Sequence, residues 1–252
     1  YVISNKQIRL TLNTSVVAPL FAYYWFASDV MVDQVVQRNT GSSVPLINLA
    51  VVKSLLVPVP SIPEQEAIIA ALSSLDDKID LLQRQNKTLE AMVETLFRQW
   101  FVEEAQEDWE EGKIEDLFIL QRGFDLPAQD RIDGPYPIYA ASGKSGGHVE
   151  YKVKGPGVTT GRSGLLGKVF LVLEDFWPLN TSLYVKEFKR GTPLFSYFFL
   201  KTLDLGAFNA GSAVPTLNRN HVHGETVLLP PMALIAQFEE TAWPLLRKIK
   251  QN

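Results

Sequence analysis

Ile68, Leu72, Leu75, Ile79, Leu82, Asn86, Leu89, Val93, Leu96 and Trp100 recur at alternating spacings of four and three. That is an unbroken heptad seam, and it predicts one long helix over 63–104. Ser61 stands where an N-cap belongs, with Pro63 and Glu64 in the first turn. Asn86 is the one polar residue of the seam, a position that fixes register or partner choice at some cost in stability. Acids and bases lie outside the seam, so the pattern predicts pairing with a second long helix. Ile235, Phe238, Ala242, Leu245 and Ile249 begin another seam, interrupted by Pro244, where a kink is expected.

Other hydrophobic stretches are shorter. Phe118–Gln121, Gly157–Thr160, Lys168–Leu173 and Ser182–Val185 read as strands between clusters of Gly, Pro and Asp. Leu20–Phe26 and Leu194–Leu200 are aromatic-rich and read as buried helices. Val51–Val57 and Thr226–Leu229 read as apolar strands, each followed by a Pro-rich turn.

These stretches belong to a broken repeat. Asn39–Asn48 matches Asn209–Asn218 at an offset of 170, and the match continues through Val57/Val227, Pro60/Pro230, Leu75/Leu245 and Ile79/Ile249. Upstream, Pro19-Leu-Phe-Ala-Tyr23 matches Pro193-Leu-Phe-Ser-Tyr197 after a four-residue shift. Two copies imply two similar domains, each ending in a helix. The expected division is the end of a first domain over 1–60, a spacer helix over 61–106, a second domain over 107–231 and the start of a second helix over 232–252. The Gly-Ser loop of each copy serves either a close approach of backbone to DNA or a turn that needs glycine.

Composition adds limits. With 46% hydrophobic and 21% charged residues, the 252-residue chain is that of a globular protein, with no apolar run long enough for a membrane span. It has no cysteine, which excludes disulfides, thiolate catalysis and Cys-ligated zinc and fits a cytoplasmic home. Net charge is -4, but it is unevenly spread. Residues 61–111 hold thirteen acids and four bases, whereas residues 136–168 hold five bases (Lys144, Lys152, Lys154, Arg162, Lys168) and one acid, Glu150.

That basic segment carries two Gly-rich loops, Tyr139–Gly147 and Thr159–Gly164. Backbone N–H groups of such loops approach phosphate closely, and hydroxyls add donors. The candidate DNA-binding residues are therefore Tyr139, Ser142, Lys144, Ser145, Lys152, Lys154, Thr160, Arg162, Ser163 and Lys168, with Arg162 suited to phosphate or to guanine. Tyr136, Tyr139 and Tyr151 serve as loop anchors or stack on bases. Gly143-Lys144-Ser145 is not a nucleotide-binding loop, because Ile138 stands where the first glycine is required. His148, His221 and His223 form no metal-ligand set, and no methyl-donor or adenine-methyltransferase motif occurs.

Taken in order, several pieces resemble the specificity subunit of Type I restriction–modification systems. They are Gly134–Tyr139 with Ser142-Gly143, Thr160–Lys168, Trp177–Thr181, Pro193–Phe198, Asn209–Pro215 and Leu229–Met232, with Pro58-Val-Pro60 and Pro63-Glu-Gln65 in the first copy. The resemblance implies an α+β fold: globular mixed target-recognition domains joined by a long coiled-coil-forming spacer helix. It implies one half of a split site on double-stranded DNA read by each domain, with the antiparallel helices setting the spacing. Expected partners are methyltransferase subunits and an ATP-driven nuclease/translocase subunit, with S-adenosylmethionine and ATP held only by those partners. Self-association through the spacer helix is a further expectation. A coiled-coil adaptor without nucleic acid is the competing reading; it explains the seam and the acidity but not the repeated domains.

Overall fold

The computed structural model describes residues 8–38, 47–210 and 213–251. They form two compact units, Tyr1–Arg84 and Gln85–Asn252. The expected long helix, α4, runs over Ile62–Arg98 and so contributes to both. Ser61 starts it: the Glu64 carboxylate accepts from the Ser61 backbone N–H (2.9 Å) and hydroxyl (2.7 Å), and these bonds hold the Glu64 pKa below the usual carboxylate value.

In the first unit, α1 (Pro19–Ala27) and α2 (Asp29–Gln37) meet at Ser28, whose hydroxyl caps α2 by accepting from the Met31 N–H. Phe21, Ala22 and Met31 are buried there. Val51–Val57 is not a strand. Asn48 accepts from the Val51 N–H at 3.0 Å and nucleates a short helix, α3 (Leu49–Ser54), so local capping overrides the β preference of the two valines. The Gly-Ser loop of this copy, residues 39–46, lies outside the described residues.

The second unit is built on a four-stranded antiparallel sheet in the order β2-β8-β5-β6, made of β2 (Phe118–Arg122), β8 (Ser182–Phe188), β5 (Gly157–Gly161) and β6 (Val169–Val172). The four short strands expected between 118 and 185 are the four strands of this sheet. Every residue of β5 is buried, so both faces of that strand are covered. A three-stranded sheet, β4-β3-β7, joins β3 (Tyr136–Ala140), β4 (Gly143–His148) and β7 (Trp177–Pro178). A two-stranded ribbon pairs β1 (Glu110–Lys113) with β9 (Thr226–Leu229). The short helices α5 (Ile114–Leu117) and α7 (Arg219–Gly224) complete this end of the unit.

α6 (Pro193–Thr202) and α8 (Met232–Gln251) close the core with the end of α4. α8 runs back along α4. Phe238, near its start, touches Phe97, Trp100 and Phe101, while Leu246 and Ile249, near its end, share a cleft with Glu90 and Glu94. α8 continues through Pro244 as one helix. α4 itself ends in a π turn, Gln99–Glu103, closed by the Glu104 N–H on the Gln99 carbonyl at 2.9 Å.

The helix-pairing residues divide sharply. Val93 is buried, and Leu96 and Trp100 pack partly on the core with it. Leu72, Leu82, Asn86 and Leu89 are half-buried, whereas Ile68, Leu75 and Ile79 are 39, 59 and 53% exposed. The main core contacts of this helix come instead from Phe97 and Phe101, neither of them a seam position.

Candidate nucleic-acid interface

The segment Tyr139–Gly147, expected to be a loop, is a β-hairpin. Ala140 pairs with Gly143 and Tyr139 with Lys144, which leaves Ala141 and Ser142 as a two-residue turn. Gly143 takes φ of +117°, and a side chain there would press on the Phe170 ring at 3.1 Å. The hairpin thus depends on glycine for conformation and for space. Tyr139 is half-buried between Phe170 and Phe176, and that burial raises its pKa, so its phenol stays protonated as a donor. Ser142 and Lys144 are exposed, and Ser145 is half-buried.

The segment Thr159–Gly164, expected to be a loop, is the end of β5 as far as Gly161 and a loop only beyond it; it lies beside this turn. A Cβ on Gly161 would sit 3.4 Å from the Ala141 methyl, so the hairpin tip and the loop are in contact. The Lys168 carbonyl ties the loop's two ends together by accepting from the Thr160 hydroxyl (2.7 Å) and the Gly161 N–H (3.4 Å). Thr160 is 1% exposed and spends its hydroxyl on that bond, so its side chain has no free surface to offer a ligand. Ser163 is half-buried, its N–H held by the Thr181 carbonyl at 3.1 Å, and Lys168 is exposed.

Two predicted lysines lie elsewhere. Lys152 sits with its amine 4.6 Å from the Trp177 ring centre, at the β7 edge of the three-stranded sheet, whereas Lys144 is on the opposite edge strand. Lys154 is exposed on the same connection as Lys152. Tyr136 packs on Tyr151 at 4.9 Å, an anchor for that connection. The predicted basic residues are therefore spread across one small sheet and the loop beside it.

Arg162 is different because it is fixed. Its backbone N–H donates to the Thr181 carbonyl (2.8 Å), its carbonyl accepts from Leu217 (2.8 Å), and Nη1 donates to the Asn180 carbonyl (3.1 Å). Arg162 lines a cleft of about 360 Å³ together with Arg122, Arg219, Thr216, Asn218 and Asn220. Arg122 closes β2 and Arg219 opens α7. Neither stands in the basic segment, so a local charge count passes over both. The available signal was Arg122 immediately after the predicted strand Phe118–Gln121, followed at once by Gly123. A Cβ on Gly123 would collide with the Leu179 and Pro178 carbonyls at 2.3 and 2.5 Å, so the glycine lets β2 lie against that segment.

Among the described residues, no group of three or more His, Asp or Glu side chains is placed to hold a metal ion, and no helix is long and apolar enough to cross a membrane. His148 is buried, its Nδ1 within 3.1 Å of the Ile132 carbonyl and its ring edge-on to Trp177. His223 accepts from the Leu120 N–H at Nε2 (2.8 Å).

Comparison with known proteins agrees with this architecture. The family model of the Type I restriction modification DNA specificity domain matches residues 1–91 and 106–238. The chain is 21% identical over 295 residues to the Type I restriction enzyme MjaIX specificity subunit of Methanocaldococcus jannaschii, covering 99% of this chain and 67% of that protein. It is 28% identical over 139 residues to the HindI specificity subunit of Haemophilus influenzae, covering 54% of this chain and 30% of that one. Among solved structures, the S subunit of a Type I restriction–modification system from M. genitalium shares the fold. Its TM-score is 0.63 at 18% identity, over 95% of this chain and 69% of that one. The chain belongs to the Type I restriction modification DNA specificity family.

Proposed function

We propose that this chain reads DNA sequence for a Type I restriction–modification complex and carries out no chemistry itself. The observation that carries this reading is that the specificity-domain match falls on both copies of the repeat, 1–91 and 106–238, with α4 linking them. Each copy would read one half of a split site on double-stranded DNA. The α4 seam, Ile68 to Trp100, would set the distance between the halves: about 50 Å at about 1.5 Å per residue, against about 3.4 Å per base pair. Methyltransferase subunits would dock on the chain, and a nuclease/translocase subunit would join them. S-adenosylmethionine and ATP would be bound by those partners in the cytoplasm.

The exposed bases Lys144, Lys154 and Lys168 support phosphate contact, which positions a protein on the duplex without reading it. Binding should therefore weaken steeply with salt, each neutralised phosphate adding about -0.9 to the slope of log affinity on log salt. The test is selection from a randomised duplex pool, with the cognate methyltransferase subunit present. Recovery of a split motif is the expected result. A pool that emerges unenriched at low salt would sink the proposal and favour an adaptor.

A further inference from the structure

We infer that the cleft between β2, β8 and α7 is the base-reading site of the second unit, and that Arg122, Arg162 and Arg219 recognise guanine within it. The inference rests on the DNA-reading function and names the residues that perform it.

The sheet brings two of the arginines together. β2 and β5 both run antiparallel to β8, with Arg122 opposite Leu183 and Thr160 also opposite Leu183. Arg122 and the residues just after β5 therefore reach the same end of the sheet on either side of β8. Strands lie about 4.8 Å apart, so two steps separate the two chains by about 10 Å. Arg219 enters from α7, and the three arginines line one cleft with no acid among its lining residues. Asp125, 3.6 Å from Arg122, offsets only part of this charge, so the cleft favours an acceptor-rich ligand.

A polar chain of residues that do not line the cleft connects two of these groups. Asp125 lies 3.6 Å from Arg122 and accepts from the Asn180 side chain; the Asn180 backbone carbonyl in turn accepts from Arg162 Nη1 at 3.1 Å. The Asn180 carbonyl thus fixes Arg162, while the Asp125 carboxylate lies beside Arg122. Mobile surface lysines suffice for phosphate. A fixed planar fork matches the two acceptors on the major-groove edge of guanine, and Arg on guanine is the commonest specific contact to DNA. Asn218 and Asn220 also line the cleft.

Arg219 is the cleanest probe, because no hydrogen bond or ion pair to its guanidinium is present among the described residues and it is exposed. Arg219→Lys and Arg162→Lys keep the charge and lose the fork, and Arg162→Lys leaves its backbone bonds in place. The experiment repeats the duplex selection on the wild-type chain with its modification subunits, and on Arg122→Ala, Arg162→Lys and Arg219→Lys. Thermal unfolding of each variant is measured alongside. The expected result is a motif in which one half-site loses guanine preference by on the order of 10-fold or more, with the other half and the melting temperature unchanged. Variants that keep the motif and bind all duplexes equally more weakly would make these phosphate contacts and overturn the inference, while leaving DNA reading intact. A wild-type half-site without guanine would overturn it too. If the wild-type chain selects no motif, the proposed function fails and this inference falls with it.

Discussion

The two copies of the repeat solve the same folding problem with different residues. At an offset of 170, α3 corresponds residue for residue to α7, and the first residue of α4 to the first of α8. Asn48 and Asn218 cap the two short helices, Asn48 accepting from the Val51 N–H and Asn218 from the Asn220 N–H, each at 3.0 Å. Beyond that the copies part. In the second, Thr226 is paired with Lys113 across the β1–β9 ribbon. Its counterpart Leu56 has no strand beside it among the described residues. The side-chain amide of Gln34 takes the strand's place, accepting from the Leu56 N–H (3.2 Å) and donating to its carbonyl (3.3 Å). Backbone polar groups need partners, and whichever neighbour can supply them is used.

The aromatic-rich helix of each copy, α1 or α6, shows the same substitution of means. In the second unit the Glu239 carboxylate on α8 accepts from the Thr192 hydroxyl, the Leu194 and Phe195 N–H groups at the start of α6, and the Trp243 indole N–H. In the first unit the task falls to Gln65 on α4, one helical turn earlier in the repeat. It is fully buried, accepts from the Ala18 N–H (2.8 Å) and donates to the Val16 and Pro60 carbonyls (2.9 and 2.8 Å). The largest contrast is in packing. Phe195, Phe198 and Phe238 are covered by Phe97 of α4, and Phe101 adds to the cover over Phe195 and Phe238. The matching positions Phe21, Tyr24 and Ile68 border an apolar groove of about 580 Å³.

That packing difference gives the largest expected effect. Phe238→Ala removes a fully buried ring that touches four other aromatics, and should cost the second unit about 3–5 kcal/mol. Ile68→Ala, at the equivalent position, removes a side chain already 39% exposed and should cost about 1 kcal/mol. Denaturant unfolding followed by hydrogen exchange in α6 and in α1 separates the two. Equal losses would mean that the first copy is packed as fully as the second.

Exchanging the two capping residues gives the next largest effect. Gln65→Glu would set a carboxylate against the Val16 and Pro60 carbonyls, leaving both without a donor, and should lower stability by about 2–3 kcal/mol. Glu239→Gln keeps one acceptor but points an amide donor at a hydroxyl, a peptide N–H or an indole N–H, at a cost of about 1–2 kcal/mol. Melting temperatures of the two variants rank them. If both exchanges were silent, the shared task would be a coincidence of geometry.

Elements were legible in the sequence where the chain's own periodicity matches its burial. Leu194–Leu200 and the four strands of the main sheet were of this kind. The heptad seam predicted α4, yet it named only part of its packing surface. Val93, Phe97 and Phe101 follow one another at spacings of four and are all buried, so the core-facing stripe leaves the seam after Val93, and a strict seven-residue pattern does not include Phe97 or Phe101. The β3–β4 hairpin was hidden because Gly143, Ser145, Gly146 and Gly147 carry no β preference; neighbouring rings and the small turn make it a strand. α3 was hidden for the opposite reason, since two valines obscured the capping Asn48. The candidate interface was half legible. Charge density along the chain found Arg162. Arg122 and Arg219 reach the same cleft through sheet pairing and the placement of α7, which no local window contains.

The smallest expected effect is a difference in pH response. His223 accepts from the Leu120 N–H through Nε2, so this nitrogen must be unprotonated, and burial lowers the His223 pKa from its ordinary value of 6.5. A histidine depressed in the folded state contributes stability that is fully present above the unfolded pKa. That contribution declines as pH falls below about 6.5, once the unfolded chain takes up a proton that the folded site resists. The matching position in the first copy is Lys53, which is exposed. Acidification from pH 7.5 to 5.5 should therefore loosen α7 and β2 and leave α3 unchanged. Amide exchange at Leu120 and at Val51, measured across that range, reads the two copies in one sample. His223→Gln, which can accept the same bond without titrating, should flatten the Leu120 response. A response that persists in this variant would trace the pH effect to another group and remove His223 from the comparison.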